Sequence, residues 1–304
     1  MKAIRLHEPV GVEGLVYEEA PDPVPGIGDV LVEVRACGFT AQELYWPVCT
    51  DRNGHERSPI IPGQEVSGVV VGLGYGTAGP AVGDEVYGLT DAYRDGAAAG
   101  LIAVEARDVA PKPASVDHVQ AASLPQAGLT SWQALFTHGG LTAGQTVVVH
   151  GAAGAVGSIA VQLARTVDVN VVATGRAAHR DLALDLGADE FVALDEGWEQ
   201  AIGPRADLVF DTIGGEVLER SPAAVRPGGA LITVVGQPPA TRTDIRTLGF
   251  IREPDRAQLV EIARLVDAGR IRPQVGAVYP LAEGREAFAA KSTPGIPGRV
   301  ILQP

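Results

Sequence analysis

The run VVVHGAAGAVGSIAVQLA, Val147 to Ala164, leads from a hydrophobic strand into an apolar helix through a turn that holds Gly151, Gly154 and Gly157. Such a turn lets backbone N–H groups approach a pyrophosphate, and the start of the helix favours negative charge there. The dinucleotide pattern G-x-G-x-x-G is met by Ala152-Ala153-Gly154-Ala155-Val156-Gly157, with Ala152 in place of the first glycine. A strand directly before and a helix directly after favour nucleotide binding over a plain tight turn. Ala153, Gly154, Ala155, Val156 and Gly157 are therefore candidate cofactor contacts.

Around this run, short Val/Ile/Leu-rich segments alternate with helical patterns. TVVVH (Thr146 to His150), NVVAT (Asn170 to Thr174), EFVAL (Glu190 to Leu194), ADLVFD (Ala206 to Asp211) and ALITVV (Ala230 to Val235) read as strands of a buried parallel sheet. The second of them ends in Gly175 and Arg176, with Arg180 beyond. NAD sites usually place a carboxylate about 20 residues after the glycines, to hold the ribose 2′-hydroxyl. No carboxylate occurs from Ala173 to Ala178, so Gly175, Arg176 and Arg180 point to a 2′-phosphate and NADP(H). Asp211, at a strand end, reads equally as a ligand contact or as the cap of the next helix. Val235 and Gly236 are candidate backbone contacts.

Before Asp117 the pattern is β-rich. Strands are expected over Lys2 to Leu6, Val30 to Cys37, Glu65 to Val71, Glu85 to Gly88 and Leu101 to Val104, separated by Pro/Gly clusters such as PDPVPGIGD. A helix-like stretch covers Val119 to Phe136, another covers Asp255 to Ala268, and Arg299 to Leu302 forms a last strand. With 304 residues there is room for two domains. We expect residues 1–118 together with 270–304 to form one, and 119–269 the nucleotide-binding other.

Composition narrows the function classes. The formal charge of −13 argues against a nucleic-acid binder, which must neutralise phosphates. Val119 to Ala164 contains no Asp, Glu, Lys or Arg, but Pro125 and repeated glycines break it, so it reads as protein interior and not as a membrane span. MKAIRLHEPVGVEG has no long apolar core and does not read as a signal peptide, so a cytoplasmic protein is expected. Cys37 and Cys49 are too few for a disulfide framework or a four-thiolate zinc site.

The chain resembles the zinc-independent quinone oxidoreductases of the medium-chain dehydrogenase/reductase superfamily. The resemblance rests on VRACGFTAQELYWP, IPGQEVSGVV, VGDEVYGL, LPQAGLTSWQAL, HGAAGAVG, LGADE, LVFDTIGG, RPGG, PDRAQL and GRVIL, in family order over nearly the whole chain. It implies an α/β protein with a GroES-like β-rich catalytic domain and a Rossmann domain, a homodimer, and a small quinone or enone substrate. Where zinc-dependent relatives carry a Cys and a His ligand, this chain has Thr40, in Gly38-Phe39-Thr40, and Gln64, in Gly63-Gln64-Glu65. Neutral Thr and Gln oxygens do not replace a thiolate and an imidazole, so no metal is expected. Without that Lewis acid, hydride from NADPH is expected to go to an acceptor that is already electrophilic.

The same resemblance assigns Tyr45, Thr40, Gln64 and Thr130 to the acceptor and nicotinamide region, and places Phe250 and Ile251 on the nicotinamide side. Local readings stay open beside these: backbone satisfaction for Thr40 and Thr130, aromatic packing for Tyr45 with Trp46, and core packing for Phe250 and Ile251. PPATRTDIRTLGF (Pro238 to Phe250) looks shortened, and DGAAAG (Asp95 to Gly100) lacks the aromatic and the acid of the family's D-G-A-Y-A-E. An enoyl or alkenal reductase and a non-catalytic dinucleotide-binding protein remain the alternatives.

Overall fold

The structure, a computed structural model, describes residues 1–45, 49–292 and 296–304. The chain divides into two compact units: Met1–Gln126 with Pro254–Ala268 and Pro273–Pro304, and Ala127–Glu253 with Gly269–Arg272.

The first unit is built on β-structure. Strands β1 (Lys2–Leu6) and β2 (Leu15–Glu19) form an antiparallel pair. A larger sheet is centred on β3 (Asp29–Gly38), which pairs along its length with β4 (Glu65–Leu73). Strand β4 in turn pairs with β5 (Glu85–Leu89), and β5 with β7 (Val109–Pro111). The other edge of β3 is shared: β6 (Leu101–Glu105) takes Asp29 to Glu33, and β15 (Arg299–Gln303) takes Cys37 and Gly38. Strand β14 (Val275–Pro280) runs parallel to β15. Inward-facing Val30, Val32 and Val34 of β3 alternate with more exposed neighbours, the period-two pattern of a half-buried strand.

The helix Arg256–Asp267 packs with this first unit, although its place in the sequence suggested the nucleotide half. The Tyr87 hydroxyl donates to the Leu259 carbonyl at 2.6 Å, and Arg256 donates to the Val109 carbonyl. Those long-range bonds have no local signal.

A buried ion pair closes the first unit. Glu65, at the start of β4, accepts from Arg299 Nε at 2.6 Å and from the Gln126 N–H at 2.9 Å, while Gln126 Oε1 accepts from Arg299 at 2.8 Å. Both charged side chains are sealed from solvent, with 0% and 3% exposure.

The second unit is a six-stranded parallel sheet with the order β10-β9-β8-β11-β12-β13. Its strands are β8 (Thr146–His150), β9 (Asn170–Gly175), β10 (Glu190–Ala193), β11 (Ala206–Asp211), β12 (Val225–Thr233) and β13 (Arg246–Gly249). Counted from β8, that order is 3-2-1-4-5-6, the doubly wound arrangement whose ligand crevice lies outside the carboxyl ends of the first and fourth strands. Here those ends are His150 and Asp211, directly opposite one another.

Strand β13 falls within the segment that looked like a shortened loop. Its four residues pair only with β12, and their composition carries no strand signal. The expected Val119–Phe136 helix is also interrupted. Asp117 caps α1 (His118–Ala122) by accepting from the Gln120 N–H at 2.8 Å. A new helix, α2 (Pro125–Trp132), then starts at Pro125, because proline restricts the residue before it.

Two expected outcomes follow from these cores. Arg299→Leu strands the buried Glu65 carboxylate and should cost about 3–5 kcal/mol in urea unfolding, whereas Glu65→Leu/Arg299→Leu should cost less. His150 is fully buried, and burial pushes it from 6.5 down to about 3, so folding keeps it neutral. Its contribution is therefore full above pH 6.5 and lost as pH falls toward 3, at about 1.4 kcal/mol per unit. Stability measured across that window should fall less steeply for His150→Asn than for the parent chain.

Candidate functional site

In the second unit the turn after β8 is set by backbone geometry. Gly151 lies at φ +79°, and Gly151 and Ala152 both donate to the Thr174 carbonyl, at 3.1 and 3.0 Å. Gly151 thus makes the tight turn that the pattern assigns to its first glycine, one position earlier than Ala152. Helix α3 (Ala155–Ala164) then begins at once. Gly157 has no room for a side chain, since a Cβ there would lie 2.1 Å from the Gly151 carbonyl oxygen. Gly154, at the N-cap, is exposed and brings no side chain to the first turn. The N–H groups of Ala155, Val156 and Gly157 therefore receive no side-chain cap, which is the condition for an anion to bind there. Ala153 is buried beneath the turn.

The opposite wall of the crevice is built from Asp211. Its carboxylate accepts from the N–H of Ile213 at 3.2 Å, from Gly214 at 3.2 and 3.1 Å, and from the Thr233 hydroxyl at 2.8 Å. Burial pushes its pKa up and these bonds pull it back. Both oxygens are spent on Thr233 and on the N–H groups of the turn that precedes helix Gly215–Arg220, which itself has no side-chain cap. Thr212, the next residue, ties the turn to β8 by donating to the His150 carbonyl at 2.7 Å. His150 Nδ1 lies 2.7 Å from the Thr174 hydroxyl, and its ring meets Trp198 at 79° with centroids 4.9 Å apart.

Past β12, the Val235 N–H donates to the Thr233 hydroxyl at 3.0 Å, and Gly236 lies exposed at φ +86°. The Phe250 ring packs on His138 with centroids 4.6 Å apart, while Ile251 is 79% exposed. Thr130 is buried within α2.

At the end of β9 the two arginines part company. Arg180 donates to the Phe191 carbonyl at 3.3 Å and its guanidinium lies 5.9 Å from the Phe191 ring centroid, so it is engaged locally. Arg176 follows the buried Gly175 and is exposed; its carbonyl accepts from the His179 N–H at 2.9 Å, while its side chain makes no hydrogen bond or ion pair among the described residues. The uncapped helix start and the unpaired guanidinium together fit a phosphorylated dinucleotide.

The first unit carries the remaining candidates. Thr40 follows β3 and opens a short helical turn, Ala41–Leu44. Its N–H donates to Glu43 Oε1 at 2.7 Å, and its hydroxyl donates to the same oxygen at 3.3 Å. The Thr40 hydroxyl proton is thus directed to Glu43, which leaves its lone pairs. Glu43 Oε2 accepts from the Gly63 N–H at 2.7 Å, next to Gln64. The Gln64 carbonyl accepts from the Thr90 N–H at 2.6 Å. Thr90, Glu43 and Gln64 also line a small cavity of about 10 Å³. Tyr45 is 65% exposed, and its hydroxyl lies over Gly11, where a Cβ would be 2.8 Å away. Trp46, read with it from the sequence, lies outside the described residues.

Glu43 was missed as a site residue, although Thr40-x-x-Glu43 is the sequence signature of a helix capping box.

These donors do not fit a catalytic zinc ion. Thr40 and Gln64 supply neutral oxygens, Glu43 is committed to two backbone N–H groups, and burial together with Glu43 and Glu65 pushes the Cys37 thiol up. Among the described residues no three His, Cys, Asp or Glu side chains converge.

Residues 26–114 match the family model for the alcohol dehydrogenase GroES-like domain, and 186–302 match that for zinc-binding dehydrogenases. The chain is 31% identical to a probable mitochondrial zinc-binding oxidoreductase of Arthroderma benhamiae, over 98% of this chain and 96% of that protein. It is 26% identical to the chloroplastic quinone-oxidoreductase QR1 of Triphysaria versicolor, over 97% and 95%. An NADPH-dependent alkenal/one oxidoreductase of Arabidopsis thaliana is 30% identical over 81% of this chain and 64% of its own length. The solved structure of an alcohol dehydrogenase superfamily protein from Novosphingobium aromaticivorans superposes with a TM-score of 0.90 at 28% identity, covering 100% and 99% of the two chains. No helix among the described residues is long and apolar enough to cross a membrane. The chain belongs to the quinone oxidoreductase-like family of the medium-chain dehydrogenase/reductase superfamily, with a GroES-like and a Rossmann domain, and is an oxidoreductase that works with a nicotinamide cofactor.

Proposed function

We propose that the protein is an NADPH-dependent, metal-independent reductase of quinones or closely related conjugated carbonyls. The observation that carries this reading is the donor chemistry at positions 40 and 64, where neutral side chains stand in place of a thiolate and an imidazole. In the zinc-dependent relatives a Lewis acid stabilises the charge on the oxygen of an alcohol or ketone. A conjugated acceptor spreads that charge itself, and ordinary hydrogen-bond donors complete the stabilisation.

Bound NADPH supplies the hydride. The protein's part is to bind, orient and donate. The N–H groups of Ala155, Val156 and Gly157 hold the pyrophosphate, Arg176 holds the 2′-phosphate, and the backbone at Gly175, Val235 and Gly236 flanks the nucleotide. Phe250 and Ile251 take the nicotinamide side with Thr130. Asp211 acts through the turn it caps, and Arg180 by keeping the β9 end in shape. On the acceptor, Tyr45 offers a hydroxyl and Gln64 an amide as donors, while Thr40 offers lone pairs. The same reading carries a cytoplasmic homodimer.

A second reading, as an alkenal double-bond reductase, draws on the Arabidopsis relative. A panel of quinones and enones assayed with NADPH separates the two, and turnover of quinones at the higher kcat/KM is expected.

Arg176→Ala should weaken NADPH by about 10- to 150-fold, the range of one lost charge-assisted hydrogen bond, and leave NADH within about twofold. Steady-state KM values for both cofactors check this, and equal losses would remove the assigned role. Dialysis against a strong chelator should leave turnover unchanged, with residual metal measured by elemental analysis on the same sample.

A further inference from the structure

Two backbone segments that are distant in sequence meet on one side chain. Glu43 is 2% exposed. Its carboxylate accepts from the Thr40 N–H and hydroxyl on one oxygen and from the Gly63 N–H on the other. Gly63 lies 20 positions after Glu43 in the sequence.

The Gly63 side of this contact is tightly built. The residue lies at φ +96°, and a Cβ would fall 2.4 Å from Cys37 Sγ and 2.9 Å from the Ala98 nitrogen. Its carbonyl accepts from the Ala97 N–H at 2.7 Å. The peptide that enters Gln64 is thus pinned from three sides: by Cys37, by Ala97–Ala98 and by Glu43.

We propose that Glu43 is a positioning residue for acceptor recognition, its carboxylate clamping the Thr40 turn to the Gly63–Gln64 turn and holding the Thr40 hydroxyl with its lone pairs outward. This rests on the reading of Thr40 and Gln64 as acceptor contacts. The two positions that hold metal ligands in zinc-dependent relatives are here held in register by one buried carboxylate instead of by an ion. Substrate selectivity then depends on the clamp: acceptor groups that donate a hydrogen bond suit Thr40, and acceptor oxygens suit the Gln64 amide.

The test combines amide hydrogen exchange with kinetics. Glu43→Gln keeps the side-chain length but turns an NH₂ toward one of the two backbone donors. It should speed exchange at Thr40 or Gly63 by at least tenfold, and lower kcat/KM for a quinone acceptor by at least tenfold, chiefly through KM. The Kd for NADPH, read by tryptophan fluorescence, should stay within twofold. Glu43→Asp, one methylene shorter, should keep one arm of the clamp and accelerate exchange at only one of the two amides; it carries the test if Glu43→Gln does not fold. Unchanged exchange at both amides would overturn the proposal. So would a loss confined to kcat that matches a smaller active fraction. A parent protein that turns over no acceptor would instead defeat the proposed function, and the exchange data would still decide whether the clamp exists.

Discussion

A negatively charged pyrophosphate can be held by backbone N–H groups only if nothing else has claimed them. At the start of α3 this demands a residue with no capping side chain at position 154 and no Cβ at position 157, where the helix passes within contact of the Gly151 carbonyl. Much of the second unit supports that arrangement. The parallel strands β8 and β11 end side by side, Thr212 bonds the His150 carbonyl, and Asp211 spends its charge on the neighbouring turn. The uncapped helix start thus carries the positive end of a helix dipole, in a chain whose overall balance is acidic.

The first unit solves a different problem, that of fixing polar side chains where relatives use a metal ion. An ion organises its ligands by bonding to each of them. Thr40 bonds Glu43 directly, and the backbone at Gln64 is held through its carbonyl, by the Thr90 N–H, and through the Gly63 N–H that reaches Glu43. A carboxylate that accepts from two loops is a directional constraint, and burial strengthens it because no water competes. The Glu65–Gln126–Arg299 ring does similar work for the larger sheet, tying its last strand to β4.

Buried polar groups are thus concentrated at strand ends in both units. His150, Thr174, Asp211 and Thr233 form one such set, and Thr40, Glu43, Gln64 and Thr90 another. Each set is nearly solvent-free and is organised by short hydrogen bonds, so the loops that carry the candidate contacts are held by the same framework that gives the core its stability.

What the amino-acid order determined alone was the local architecture: the strand–turn–helix at Val147–Ala164, most strands of the parallel sheet, and the strands around Val30 and Glu65. Continuous apolar runs, period-two alternation and glycine spacing are written into neighbouring residues, so they can be read without coordinates. The arginine at the end of β9 was legible for the same reason. Only the tertiary structure decided that the Arg176 side chain has no partner among the described residues while Arg180 is held by Phe191, that Asp211 bonds the turn after its strand, that the helix Arg256–Asp267 packs with the first unit, and that the Thr40 proton faces Glu43. Those outcomes depend on which distant donors and acceptors arrive within about 3 Å of one another. Such meetings are made by folding across tens of residues, and no local pattern encodes them.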